Sequence, residues 1–224
     1  MMKAIIFDLD NTLIDFMRMK KLCCTAAVEA MIGAGLKWKK EEALKILFGL
    51  YDEYGIEYKG IFQKFLEKVE GKVDYRILAH GIVAYRKTQV GYMEPYPNVI
   101  PTLIQLKAKG LKLAILSDAP KMNAWLRLVE MKLEHFFDVI VCLDDTGMKK
   151  PATKPFETVL NELKLKPAEV LMVGDWPERD IAGAKKMGMR TCYAKYGNIK
   201  GEECKDADFE IGEIGELVKV VEKA

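Results

Sequence analysis

The sequence predicts an α/β protein of three layers, a mainly parallel sheet with helices on both faces, joined to a smaller all-helical block. Two observations carry this. From about residue 98 onward, short apolar runs alternate with helical periods, the pattern of strand–helix–strand units. Between the first apolar run and the second, residues 15–91 show only helical periodicity. A chain of 224 residues is long enough for one or two domains with a sizeable core.

The first run, 4–7, reads as a buried parallel strand and stops at Asp8 and Asp10, one residue apart and followed by Asn11 and Thr12. Asp15 is placed to cap a helix that carries Phe16, Met19, Leu22, Cys23, Ala26 and Ala27 on one side. Gly33 and Gly35 end it, and further helical periods span 39–54, 58–69 and 74–89. Gly91, Pro95 and Pro97 close the block. These marks set the expected domains at 1–14 with 92–224 for the α/β core, and 15–91 for the helical block.

The core then resumes. A helix over 98–109 ends at Gly110, and a strand over 111–116 stops at Ser117 and Asp118, where Asp118 could cap the next helix. Helix 121–131, strand 138–142, a loop around Gly147 and helix 154–163 follow. Strand 170–173 stops at Gly174 and Asp175, with Asp180 five residues beyond. Helix 179–187, strand 190–194, a short strand near Phe209 and a last helix over 214–221 complete the chain.

Composition excludes several classes. Thirty-five Lys and Arg against 33 Asp and Glu give a net charge of +2, too small to imply nucleic acid or a membrane surface as partner. No apolar stretch approaches the roughly 20 residues of a membrane span, and no signal-like segment opens the chain. Five cysteines without a CxxC pair read as buried thiols of a reducing cytoplasm. There is no GxSxG, HExxH or phosphate-binding GxxxxGK[ST] loop.

What remains is chemistry at strand ends, where open α/β sheets place their sites. Asp8 and Asp10 suit a nucleophile and a general acid. Ser117 with the following backbone N–H suits an anion. Lys150 and Lys154, each before a proline, both offer a cation. Asp175 and Asp180 add two acids after the fourth strand.

Asp8-Leu9-Asp10-Asn11-Thr12 resembles the first motif, DxDx[TV], of the haloacid dehalogenase-like hydrolases. Ser117, the Lys of Lys150-Pro151, and Gly174-Asp175 with Asp180 match the later motifs in order. The resemblance implies a Rossmann-like core with a helical cap inserted after the first strand. It also implies an aspartyl-phosphate mechanism. Asp8 would be nucleophile and metal ligand, and Asp175 a second ligand. Asp10 would lend its backbone carbonyl to the metal while its side chain protonates the leaving group and later takes a proton from water. Asp180 would orient a metal-bound water or the lysine. Thr12, Ser117, Asp118 and Lys150 would surround the substrate. Lys150 is favoured over Lys154 because Phe156 then falls at the family's spacing.

Four acids against one lysine would leave −3, and a divalent ion would reduce this to −1. All-oxygen ligands beside a phosphate favour Mg²⁺. Neighbouring carboxylates would raise the pKa of Asp10. The expected activity is a phosphatase acting on a small phosphorylated metabolite in the cytoplasm. A sugar phosphomutase, or a non-catalytic phospho-ligand binding protein, are the alternatives. Phe16, Arg18, Met19 and Lys20, beside the hinge, are candidates for setting specificity.

Overall fold

The computed structural model describes residues 2–199, 201 and 203–223. Its sheet has six strands: β1 (Ala4–Phe7), β2 (Lys112–Leu116), β3 (Val139–Val141), β4 (Val170–Gly174), β5 (Arg190–Ala194) and β6 (Phe209–Ile211). Their order is β3-β2-β1-β4-β5-β6, every pair parallel. The helices are α1 (Phe16–Gly33), α2 (Lys40–Tyr54), α3 (Ile61–Glu70), α4 (Tyr75–Tyr92), α5 (Val99–Ala108), α6 (Lys121–Glu130), α7 (Leu143–Thr146), α8 (Thr153–Leu163), α9 (Ala182–Lys186) and α10 (Leu217–Lys223).

Parallel strands covered on both faces should be apolar without alternation, and β1 and β4 are buried at every position. On one face Ile6, Ala114, Leu116 and Met172 pack with Phe156 and Val159 of α8 and Ala184 of α9. Ile5, Phe7, Leu113, Ile115, Leu171 and Val173, on the other face by alternation, are also fully buried. Each such side chain contributes about 1.5–3 kcal/mol relative to exposure.

Chain order reverses at β1, which has β2 on one side and β4 on the other. The carboxyl ends of strands at such a reversal diverge and leave a crevice for ligand. Register places Phe7 beside Ile115 and Val173, so Asp8, the residues after β2 and the residues after β4 emerge together.

The chain divides into two compact units, Met1–Phe16 with Glu94–Ala224, and Met17–Met93. The crossings thus fall two residues beyond the limits read from the sequence. The second unit has its own core, built on Met31, Leu47, Phe65 and Leu66. Gly81 of α4 lies against the Met31 side chain, and a Cβ there would collide with it.

Several element limits differ from expectation. The helix expected over 179–187 is a π-helical turn, Pro177–Ile181, followed by the short α9. The short α7 was not anticipated. Asp118 does not cap α6, whose N-cap is Pro120.

Candidate active site

Asp8 continues the line of β1, its N–H donating to the Val173 carbonyl at 2.9 Å. The chain then turns sharply. Asn11 takes a left-handed conformation (φ 60°), its N–H donates to the Ile14 carbonyl, and the Leu13 N–H donates to the Leu9 carbonyl. Asparagine tolerates this conformation better than most residues. The Thr12 hydroxyl donates to Asp175 Oδ1 at 3.3 Å, and the Thr12 carbonyl accepts from the Tyr196 hydroxyl at 2.7 Å. Gly197 lies so near the Asn11 carbonyl that a Cβ would overlap it.

The loop between α7 and α8 delivers the cation. Lys150 is 3% exposed, and its ammonium donates to Asp8 Oδ1 at 2.5 Å and to the Leu116 carbonyl at 2.9 Å. It also pairs with Asp180 Oδ1 at 2.7 Å. Three oxygens therefore stand around the ammonium. Burial alone would lower its pKa, but the Asp180 and Asp8 carboxylates outweigh this and raise it. Lys154, in the first turn of α8, is exposed, so the buried cation of the pair is Lys150.

The turn after β4 supplies the remaining acids. Asp180 is buried, and its Oδ2 accepts from the Trp176 N–H at 3.0 Å. Gly174 leaves room for it, since a Cβ there would strike the Asp180 side chain. Among the described residues, Asp8, Asp175 and Asp180 each place one carboxylate oxygen within 4.8 Å of the others. Burial, followed by the Asp180 and Asp10 charges, raises the pKa of Asp8 against the opposing pull of Lys150. Burial, Asp8 and Asp180 together raise that of Asp175. Three buried carboxylates with one ammonium favour a hard cation with oxygen ligands.

Two expected residues are engaged with neighbouring side chains and backbone. Thr12 spends its hydroxyl on Asp175. Asp118 accepts from the Lys150 backbone N–H at 2.9 Å and pairs with Arg179, which stacks over the Trp176 ring at 4.3 Å. Ser117 is buried at the end of β2, its Oγ accepting from the Ala119 N–H at 3.2 Å.

The sequence reading missed Arg127 and Tyr196. Arg127 Nη1 lies 3.0 Å from Asp10 Oδ2, so Asp10 is not surrounded by carboxylates alone. With four acids against two cations, the formal charge is −2 rather than −3, and a divalent ion brings it to zero. The available signal was a charge at an inward position of α6, in phase with Ala124, Leu128 and Met131. Tyr196 carried no local signal.

A doubly wound parallel sheet with paired acids and a buried lysine at its chain reversal defines a hydrolase-type α/β enzyme. The family described as haloacid dehalogenase-like hydrolase matches residues 5–194, and the chain belongs to that family. It is 36% identical to a glyceraldehyde 3-phosphate phosphatase of Methanocaldococcus jannaschii, over 99% of this chain and 97% of that one. It is 30% identical to a phosphoglycolate phosphatase of Aquifex aeolicus, over 99% and 97%. A solved phosphatase of the family from Thermococcus onnurineus superposes with a TM-score of 0.71 at 29% identity, over 98% of both chains. Within the family the chain is a phosphoric monoester hydrolase.

Proposed function

We propose that this chain is a Mg²⁺-dependent phosphatase that hydrolyses a small phosphorylated metabolite through an aspartyl-phosphate on Asp8. The observation that supports it most is the buried Asp8–Lys150–Asp180 array with Asp175 beside it, at the end of β1. The relatives named for glyceraldehyde 3-phosphate and phosphoglycolate support a short, singly phosphorylated substrate.

Asp8 and Asp175, with Asp180 next to them, are the residues that would hold Mg²⁺, and the Asp10 backbone carbonyl is the further ligand the family pattern supplies. When bound, the ion neutralises the acids and the phosphoryl charge. The Asp8 carboxylate forms a bond to phosphorus as the ester P–O bond breaks, and the leaving oxygen takes a proton from Asp10. Water then attacks the phosphorus, the aspartyl P–O bond breaks, and the water's proton passes to Asp10. The sum is one ester and one water giving one alcohol and one phosphate. Lys150 and Ser117 hold the phosphoryl oxygens and spread the charge that develops on them.

The helical unit Met17–Met93 serves as a cap in this reading. Its place in the chain supports that role, because it leaves from the loop that carries Asp10 and returns just before α5. Lys20, buried rather than solvated, lies over the rings of Tyr51 at 4.4 Å and Tyr85 at 5.4 Å within this unit. Cys23, Cys24, Cys142 and Cys192 are buried. No helix of the described residues is long and apolar enough to cross a membrane.

A screen of phosphorylated metabolites with Mg²⁺, scored by phosphate release, tests the reading. Glyceraldehyde 3-phosphate or phosphoglycolate should rank near the top, and chelation should silence the enzyme reversibly. Conversion of a hexose 1-phosphate mainly to its 6-phosphate, given the bisphosphate, would favour a mutase instead.

A further inference from the structure

Arg127 belongs to none of the motifs above, yet it touches the residue that handles protons. We propose that Arg127 is a positioning residue for Asp10, fixing where that carboxylate stands in the proton-transfer steps. The proposal rests on the phosphatase reading of the site.

The argument begins with helix α6. Met122, Leu126 and Val129 point outward, at 67%, 60% and 53% exposure, while Arg127 is 4% exposed and turned inward with Ala124 and Leu128. An amphipathic helix would ordinarily place its apolar side chains inward and its arginine outward. A buried guanidinium is costly unless a carboxylate meets it. The inverted choice makes sense if that position is kept for the Asp10 contact.

The contact is directional as well as close. Arg127 Nη1 donates to Asp10 Oδ2 at 3.0 Å, and the guanidinium lies over the Phe16 ring at 4.3 Å. A planar fork stacked on a ring has little freedom to turn, which a lysine ammonium would retain. The Asp10 backbone is already held by the turn at Asn11 and by the Leu13–Leu9 and Asn11–Ile14 hydrogen bonds. The main freedom left to Asp10 is the rotation of its side chain, and Arg127 controls that rotation. Phe16, the first residue of α1, fixes Arg127 in turn, so the link joins the catalytic loop to α6.

Leaving-group dependence tests this. A proton donor matters for an alkyl phosphate such as glyceraldehyde 3-phosphate and little for p-nitrophenyl phosphate, whose leaving group is already a good one. Asp10→Asn should lose about a hundredfold or more in kcat/KM on the alkyl ester, and much less on the aryl ester, because kcat/KM reports phosphoryl transfer to Asp8 and not the later hydrolysis that both esters share. Arg127→Gln should show the same selectivity in kcat/KM, with Arg127→Lys recovering part of the loss. The double variant Arg127→Met with Asp10→Asn should be no slower than Asp10→Asn alone. That pair is neutral and Arg127→Lys keeps the charge, so each keeps the test alive if Arg127→Gln fails to fold.

Equal losses on both esters, additive losses in the double variant, or a rise in KM on both substrates with kcat unchanged would overturn the proposal. An active wild type with an unselective Arg127→Gln overturns this proposal alone. An inactive wild type overturns it together with the phosphatase reading.

Discussion

At the scale of residues, the two lysines that precede prolines show how burial separates chemically equal candidates. Both carry the same charge, Lys150 three residues before α8 and Lys154 in its first turn. Lys150 has three oxygen partners and almost no exposure, whereas Lys154 stands in solvent. Lys150→Ala should therefore lose about 3 kcal/mol of transition-state stabilisation, roughly a hundredfold in kcat/KM. Lys154→Ala should change it by less than about threefold, since an exposed charge contributes little. Steady-state kinetics of both variants decide the matter, and the reverse ranking would move the phosphoryl-binding role to Lys154. The acids and this lysine were readable because each follows an apolar strand or opens a helix at a marked spacing. Arg127 and Tyr196 were not, because neither ends a strand nor sits in a spaced motif: Arg127 is marked only by its charge on the inward face of α6, and Tyr196 by nothing local.

At the scale of elements, the two chain crossings are joined. The Tyr96 N–H donates to the Leu13 carbonyl at 2.8 Å, and Ile14 and Pro95 form an isolated bridge. We propose residues 13–15 and 92–97 as the hinge of the cap. A phosphate analogue with Mg²⁺ should slow amide exchange there while leaving β1 and β4 unchanged. Equal exchange with and without the analogue would argue for a fixed unit.

The strands were legible for a simple reason. In a parallel sheet covered twice, each strand is a short apolar run that ends at a polar residue. The π-helical turn Pro177–Ile181 was not legible. There the Asp180 side chain accepts from the Trp176 N–H, a local bond that competes with regular helix. Periodicity records the apolar face of a helix and is silent on such a rearrangement.

At the scale of the whole molecule, the acid cluster links folding to pH and metal. Asp8 and Asp175 have raised pKa values in the folded chain, burial being the first cause and neighbouring carboxylates the next. Between the ordinary value of 3.8 and those raised values, the folded chain binds more protons than the unfolded one. Its stability must fall as pH rises through that window. Metal-free protein should melt at a lower temperature at about pH 8 than at about pH 5, as far as these two groups decide it. Mg²⁺ should raise the melting temperature more at the higher pH, where the acids it binds would otherwise repel. A Mg²⁺ effect independent of pH would show that the ion binds elsewhere. Asp8→Asn removes one charge from the cluster and should flatten the pH dependence of the metal-free protein.

The central claim is that Asp8 takes the phosphoryl group. Phosphate release from glyceraldehyde 3-phosphate with Mg²⁺, compared between the wild type and Asp8→Asn, tests it most directly. The amide keeps the shape of the site and removes the nucleophile, so turnover should drop by about a thousandfold or more while the protein stays folded. Undiminished hydrolysis by Asp8→Asn would contradict the account.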